Sequence, residues 1–256
     1  MMTHTPQSLS STKLPGLPPT ELGEALRHLE PRPASAALAD IILGGQDGLV
    51  NTLGVILGVA AASQDPRIVL AGGFAATFAE SISMGAVAYT STLADHDHYR
   101  AQLERERREI RDMPQIEEQE VRDVFAGWGF TGDLLEQAVA QTVKDEAAWV
   151  DVMMRNELKL APIEDSSARR AALVVGFSAI VGSFIPLMPF LLLPLAWAVP
   201  VSLAISALAL FVVGAYKARI TVGRPLRSGL EMAVIGIVSA LAGYFIGSLF
   251  GGVPGG

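Results

Sequence analysis

The chain contains no cysteine among its 256 residues, so a disulfide scaffold, a thiolate metal site and a cysteine nucleophile are all excluded. Basic residues are also scarce, with 19 Lys and Arg against 26 Asp and Glu and a net charge of −7. A general nucleic-acid-binding surface requires an excess of positive charge. We therefore expect no nucleic-acid partner.

Charged residues are missing altogether from two long stretches, residues 171–216 and 232–256. A helix that crosses the core of a bilayer needs about 20 apolar residues, so the first stretch is long enough for two spans and the second for one. We expect Pro186, Pro189 and Pro194 to form a tight turn between the first two of these helices. The predicted spans are 169–190, 194–216 and 229–250.

Two further candidate spans lie earlier in the chain, at 36–62 and 68–93. The first contains Asp40 and Asp47, and the second has Glu80 as its one charged residue. The sequence therefore predicts an all-α protein with five transmembrane helices. Residues before the first span are polar and Pro-rich and lack the apolar segment of a signal peptide, so we expect a polar tail there and no cleaved signal.

The distribution of Lys and Arg predicts the orientation of these spans, because positively charged loops stay in the cytoplasm. The N-terminal tail, the segment between the second and third spans and the link between the fourth and fifth spans hold 18 of the 19 basic residues. The single exception is Arg67. We therefore expect a cytoplasmic N-terminus and a C-terminus on the other side.

The protein's acidity is concentrated in the insertion between the second and third spans, residues 94–167. It holds 18 Asp and Glu and 9 Lys and Arg, whereas the rest of the chain has 8 and 10. Turn signals predict three helices there, over 95–112, over 115–127 and from Asp133 to about Leu160. The predicted domains are a tail (1–35), two spans (36–93), a cytoplasmic three-helix domain (94–167) and three spans (168–256).

Two pairs of glutamates in this insertion have the spacing of a cation site. Glu106 and Glu109 are three residues apart on the first predicted helix, and Glu117 and Glu120 are three apart on the second. Residues at i and i+3 share a helix face, so each pair presents two carboxylates to one point. Two facing pairs would bind a divalent cation, because carboxylates held together need a counter-ion.

The third predicted helix ends with Met153, Met154 and Glu157, and thioether sulfur beside carboxylates favours a transition metal over Ca²⁺ or Mg²⁺. Each of these features has a simpler alternative. The glutamates could belong to solvated helix faces that are ion-paired with neighbouring arginines, and the methionines could fill a core. The arginines concerned are Arg105, Arg107, Arg108 and Arg111.

Ionisable residues inside a membrane are costly and are typical of functional sites. On each of the first two spans, polar and small residues at helical spacing form one face together with these ionisable residues. The two faces, opposite each other, would line a path for a cation. The alternative is that Asp40 lies at the interface and that Glu80 bonds a neighbouring helix. The faces comprise Asp40, Gly44, Asp47 and Asn51 on the first span and Gly73, Thr77, Glu80 and Met84 on the second. Gly44, Gly45, Gly48, Gly54 and Gly58 would allow close helix packing.

In combination, these motifs resemble the vacuolar iron transporter family over about residues 36–250. They are Asp47-Gly48-Leu49-Val50-Asn51, Ser83-Met84-Gly85, the four glutamates around Pro114, and Met153-Met154 with Glu157. The resemblance implies a homodimer of five-span protomers with a cytoplasmic metal-binding domain between the second and third spans. It also implies export of Fe²⁺, and of Mn²⁺ or related divalent ions, from the cytoplasm in exchange for protons.

Carried over by position, the resemblance assigns two sets of ligands. Asp47 and Met84 would be pathway ligands at the dimer interface. The cytoplasmic metal ligands would be Glu106, Glu109, Glu117, Glu120, Met153, Met154 and Glu157. The chain departs from many members at two positions, where Ala76 and Ala88 stand in place of glutamate. Glu80 is then the one carboxylate of the second span, and either Asp47 or Glu80 would carry the proton.

We therefore predict a secondary transporter, not an enzyme, in the bilayer of a bacterial inner membrane or, alternatively, of a vacuole-type organelle. No prosthetic group is expected, since the bound ions would be transported Fe²⁺, Mn²⁺, Co²⁺ or Zn²⁺. Two alternatives stay open, a divalent cation channel without proton coupling and a membrane-bound di-iron oxidase. Such oxidases use Glu-x-x-His pairs, which this sequence lacks, and His96 and His98 precede the glutamate pairs.

Overall fold

The computed structural model describes residues 34–163, 166–221 and 223–251. The chain divides into two units, Met1–Ala39 and Asp40–Gly256; within the described residues the first contributes only the start of a helix. Regular structure in the described residues is entirely helical. The elements are α1 (Ala34–Ser63), α2 (Pro66–Asp112), α3 (Pro114–Gly127), α4 (Gly132–Thr142), α5 (Glu146–Val152), a π-helical turn (Met153–Glu157), α6 (Ser167–Leu192), α7 (Leu195–Ile220) and α8 (Pro225–Phe250).

Five of these helices, α1, α2, α6, α7 and α8, are long and apolar enough to cross a membrane. This confirms the predicted all-α class with five spans. The large apolar side chains of the five helices are in many cases exposed, as in Leu173, Phe177 and Ile82. In an integral membrane protein such side chains face lipid, which solvates them as well as a protein core would.

The second membrane helix is far longer than a bilayer requires. α2 runs without a break for 47 residues, which corresponds to about 70 Å at 1.5 Å per residue. It starts at Pro66, where the carboxylate of Asp65 accepts a hydrogen bond from the backbone N–H of Arg67 at 2.8 Å. The predicted second span and the predicted helix over 95–112 are therefore one element, because no Gly or Pro separates them.

The connection between α6 and α7 is shorter than predicted. Pro186 and Pro189 lie inside α6, and only Pro194 lies in the turn, directly before α7. The prediction that all three prolines form the turn was therefore wrong. A membrane helix tolerates proline where neighbouring helices supply hydrogen bonds. The Ser202 hydroxyl on α7 donates to the Pro186 carbonyl at 2.7 Å and so links the two helices beside this proline, although the carbonyl that loses its donor is that of Gly182.

The segment predicted as one helix from Asp133 to about Leu160 is broken into α4, α5 and the π-helical turn. The break lies at Asp145, whose carboxylate accepts a hydrogen bond from the Ala147 N–H at 3.0 Å and so caps a new helix. These elements share a core with the distal end of α2 and with α3. The buried residues of this core are Ile110, Val121, Phe125, Val139, Trp149, Val150, Met153 and Met154.

Glycines place α1 in backbone contact with two other membrane helices. A methyl group added at Gly48 would overlap the carbonyl of Ala179 on α6, and one added at Gly58 would lie 2.8 Å from the carbonyl of Gly243 on α8. Along α1, successive glycines contact successively later residues of α6 and of α8, so α1 runs parallel to both helices. The close approach predicted for the α1 glycines is therefore confirmed at these positions.

We expect Gly48→Ala to destabilise the bundle by about 1–3 kcal/mol, because the new methyl group has to displace the α6 backbone. Gly45→Ala is the matched control, since its methyl group would stand 3.6 Å from the Ser178 carbonyl, an ordinary contact. Thermal unfolding of both variants in detergent measures the difference. Equal unfolding temperatures for the two variants would contradict the packing described above.

Candidate metal pathway and carboxylate cluster

A polar cluster lies inside the membrane bundle where α1 and α2 face each other. The carboxyl group of Glu80 on α2 lies beside the side chains of Asp47 and Asn51 on α1. Asp47 and Asn51 are four residues apart, so one turn of α1 presents both to α2. Asp47 and Glu80 are half-buried, and Asn51 is exposed in the single chain.

Met84 lies one turn after Glu80 on α2. Together with Asp40 it lines a cavity of about 100 Å³ between α1, α2 and α6, one turn from the Glu80 cluster. Ser91 and Thr92 also line this cavity, and both hydroxyls donate to the Ala88 carbonyl. The structure therefore groups the predicted pathway residues into two successive sets, Asp40 with Met84 and Asp47 with Asn51 and Glu80.

Three residues of the predicted polar faces serve in packing. A methyl group added at Gly44 would overlap the Val175 carbonyl and the Ser178 hydroxyl of α6. Thr77 is completely buried, and its hydroxyl donates to the carbonyl of Gly73 at 2.8 Å. The polar face is therefore narrower than the periodicity predicted, because small residues at the same spacing also serve close helix contact.

Outside the membrane segment, the distal end of α2 and the start of α3 bring two predicted metal ligands together. The carboxyl groups of Glu106 and Glu117 are in hydrogen-bond contact, and each residue is only 4 % exposed. Glu106 Oε1 and Glu117 Oε2 are buried without a hydrogen-bond partner in the part of the chain that the structure describes. A buried carboxylate oxygen without a donor is costly, so this arrangement favours a bound cation or proton.

Burial and neighbouring negative charge raise the pKa values of the carboxyl groups in this cluster. Desolvation and the adjacent Glu117 raise the pKa of Glu106 to about 8. Burial also raises the pKa of Glu117, as does the charge of Glu120. For Glu157, burial and the charges of Glu120 and Glu117 raise the pKa. The cluster therefore holds protons near neutral pH, and a divalent cation competes with them for the same oxygens.

The π-helical turn brings the predicted sulfur ligands to this region. Met153 and Met154 are both buried at its start, and Glu157 at its end is in hydrogen-bond contact with Glu120. A π-helical turn changes the register of side chains within a helix and is frequent at functional sites. Both methionines pack in the local core, as the core-filling alternative expects.

Part of the solvated-face alternative is correct. Arg105 is ion-paired with Glu109 at 3.0 Å, and Arg107 is ion-paired with Glu104 at 3.0 Å. Among the described residues, no three His, Asp or Glu side chains converge closely enough to hold a metal ion as they stand. The carboxylates around Glu106 and Glu117 are therefore adjacent but do not converge on one point. Glu109 would have to break its ion pair with Arg105 to join a metal site with them.

The two histidines stand apart from this cluster. The Nδ1 atom of His96 lies 3.6 Å from the Asp97 carboxylate, and His96 lines a cavity with Arg100 and Ser167. His98 is exposed. His96 precedes Glu106 by ten residues on α2, which corresponds to about 15 Å along the helix.

Ser91, which lines the cavity of Asp40 and Met84, was not predicted from the sequence, although its spacing of seven from Met84 places both on one face of α2.

The fold and these two sites define a polytopic membrane protein with carboxylates and a thioether inside the bundle and a buried carboxylate cluster outside it. Comparison with known proteins identifies it further. The model of the VIT family matches residues 38–248, and the chain belongs to this family.

Relatives from plants and from a parasite agree with this assignment. Vacuolar iron transporter 1 of Arabidopsis thaliana is 35 % identical over 82 % of this chain and 85 % of its own length. Vacuolar iron transporter 1 of Tulipa gesneriana is 33 % identical over 89 % of this chain and 94 % of its own length. The vacuolar iron transporter of Plasmodium berghei is 27 % identical, with coverages of 83 % and 81 %.

The raised pKa of Glu106 predicts a particular pH dependence of stability. Because its pKa of about 8 in the folded protein lies above the ordinary 4.5, the folded state binds more protons than the unfolded state between these values. Stability of the metal-free protein should therefore fall as pH rises from about 5 to 8. Glu106→Gln should flatten this slope, as measured by thermal unfolding in detergent.

The control is Glu136→Gln, since Glu136 is exposed and its pKa is lowered by Arg122. This variant should keep the slope of the unmodified protein over the same pH range. An unchanged slope in Glu106→Gln would show that the buried carboxyl does not gain its proton on folding.

Proposed function

We propose that this protein exports Fe²⁺, and also Mn²⁺ or related divalent transition ions, from the cytoplasm in exchange for protons. The observation that carries the proposal is the contact between the Asp47 and Glu80 carboxyls inside the bundle. Two carboxylates cannot lie in contact in a membrane without a proton or a cation between them. Membership of a family whose relatives are named vacuolar iron transporters supports a metal as the cation.

Capture of the ion is assigned to the acidic insertion, residues 94–167, as a cytoplasmic metal-binding domain. Glu106 and Glu117 form its buried centre, and Met153 and Met154 supply sulfur at its edge. Glu109, Glu120 and Glu157 complete the set once the side chains close around an ion. Thioether ligands favour transition ions over Mg²⁺ and Ca²⁺.

Translocation follows the two sets of pathway residues in order. The ion first reaches the cavity of Asp40 and Met84, which holds about 100 Å³. It then passes to Asp47, Asn51 and Glu80, where protons from the far side displace it from the carboxylates.

The proposed assembly is a homodimer in which the α1 face with Asn51 meets a second copy. Asn51 and the neighbouring Val55 are exposed in the single chain, and an amide exposed to lipid is costly. A partner protomer would cover this face and complete the cation path with its own carboxylates. The proposed topology has a cytoplasmic N-terminus, in a bacterial inner membrane or a vacuole-type membrane.

Asp47→Ala should reduce Fe²⁺ uptake into proteoliposomes with an imposed proton gradient by at least about tenfold, because the ion loses a charged ligand worth more than 1.4 kcal/mol. Glu231→Ala is the matched control, since Glu231 is exposed and ion-paired with Arg227 at 2.8 Å. Wild-type rates in Asp47→Ala would overturn the pathway assignment. Rapid Fe²⁺ uptake by the unmodified protein at a rate independent of the proton gradient would identify a channel instead.

The capture site is tested by metal binding to the full-length protein. Glu106→Ala combined with Glu117→Ala should weaken Fe²⁺ or Co²⁺ binding by at least about tenfold, because the two buried carboxylates are removed. Glu136→Ala should bind as the unmodified protein does. Unchanged affinity in the double variant would contradict the capture site and favour the alternative that the insertion is a set of solvated helices. Oxygen consumption by the unmodified protein on addition of Fe²⁺ would indicate an oxidase.

A further inference from the structure

The turn between α7 and α8 concentrates positive charge that the proposed transport function does not use. Residues 217–228 contain four cations and no Asp or Glu. All four cations are exposed; they are Lys217, Arg219, Arg224 and Arg227. Of these, only Arg227 has an ion-pair partner in the part of the chain that the structure describes, which is Glu231 at 2.8 Å. The other three cations have no counter-charge there.

The backbone of the turn brings these three cations together. The Gly223 N–H donates to the Ala218 carbonyl at 3.3 Å. A methyl group added at Gly223 would stand 3.0 Å from the Ala218 side chain, so the returning backbone lies directly against the end of α7. Lys217 and Arg219 flank Ala218 in the chain, and Arg224 comes directly after the glycine. Because adjacent Cα atoms are about 3.8 Å apart, the three cationic side chains start within about 12 Å of one another.

This turn also lies at the edge of the membrane. α7 and α8 each have 26 residues, which corresponds to about 39 Å at 1.5 Å per residue. The hydrocarbon core of a bilayer is about 30 Å thick, so the ends of both helices extend into the headgroup layer. Large apolar side chains beside the cations are exposed as well, namely Tyr216, Ile220 and Leu226. The surface therefore combines positive charge with side chains that suit contact with acyl chains.

We propose that Lys217, Arg219 and Arg224 bind the headgroup phosphate of an anionic phospholipid. Guanidinium groups pair with phosphate oxygens through two parallel hydrogen bonds, and cations near a membrane surface attract anionic lipids. A zwitterionic headgroup fits less well, because it brings a cation of its own to three cations. The acyl chains of the bound lipid cover the exposed apolar side chains of the turn.

An acidic protein segment is the competing partner for these cations. The insertion over residues 94–167 carries such an excess of acidic residues, but it would pair the charges and leave the apolar side chains of the turn uncovered. A phospholipid satisfies both parts of the surface. The inference depends neither on the proposed transport function nor on which side of the membrane the turn faces.

Thermal unfolding in detergent with added lipid tests the proposal on the unmodified protein. Phosphatidylglycerol should raise the unfolding temperature by about 2–4 °C more than phosphatidylcholine does, because a ligand that binds the folded state stabilises it. This difference should shrink as NaCl rises from about 0.1 to 1 M, since salt screens exposed charges. Inorganic phosphate at the same concentration should not raise the temperature, because it has no acyl chain.

Charge removal at the turn tests the assignment of the residues. Arg219→Gln combined with Arg224→Gln should weaken phosphatidylglycerol binding by at least about tenfold, as measured by native mass spectrometry of the lipid-bound protein, because two of the three cations are lost. The matched control is Arg107→Gln combined with Arg155→Gln. It removes the same charge from exposed arginines that are each ion-paired with a neighbouring carboxylate, and it should bind the lipid as the unmodified protein does.

Equal stabilisation by the two lipids, or equal lipid binding by the two double variants, would overturn the proposal. A temperature rise with inorganic phosphate as large as that with phosphatidylglycerol would show that the turn binds a free anion instead. In phosphatidylcholine, Arg219→Gln with Arg224→Gln should unfold at the temperature of the unmodified protein. A lower temperature there, with lipid binding retained, would identify an acidic protein segment as the partner of these cations.

Discussion

Direct backbone contact between α1 and the two helices beside it is the constraint on which the remaining structure depends. In a bilayer, apolar side chains gain little from leaving lipid for protein, so helices associate through close packing and hydrogen bonds. Gly48 meets Ala179 of α6, and Gly58 meets Gly243 of α8. Because these contacts join backbone to backbone, they fix the rotation of α1 and hence the direction in which Asp47 and Asn51 point.

The length of α2 connects the two candidate sites. Glu80 and Glu106 are 26 residues apart on the same unbroken helix, which corresponds to about 39 Å. The two ends of α2 lie in different surroundings. Around Glu80 the helix packs on α1 and α6 in the membrane bundle, whereas around Glu106 it contributes to the core with Val121 and Met153.

The sequence predicted the number and class of the membrane helices because a charge-free stretch of bilayer length has few alternatives. Spacing placed Glu106 with Glu109 and Glu117 with Glu120 on shared helix faces, but it does not determine that Glu106 and Glu117 come together across α2 and α3. The sequence did not predict that Pro186 and Pro189 lie inside α6, because proline usually breaks a helix, whereas a membrane helix packed among others tolerates it. The sequence also did not predict that Asp40 and Met84 line one cavity, because spacing along one helix does not determine the register between two.

The same register explains how far the polar face of α1 extends. Asp47, Asn51, Gly54 and Gly58 follow a spacing of four, three and four residues, so they lie along one line of the helix. Gly54 faces Ser239 and Gly58 faces Gly243, and both of these residues belong to α8. The face of α1 that carries the Asp47 carboxylate and the Asn51 amide therefore continues into the two glycines that pack against α8. In the proposed pathway, this line of α1 offers an ion no side-chain ligand at the two positions after Asn51, because both are glycines that pack against α8.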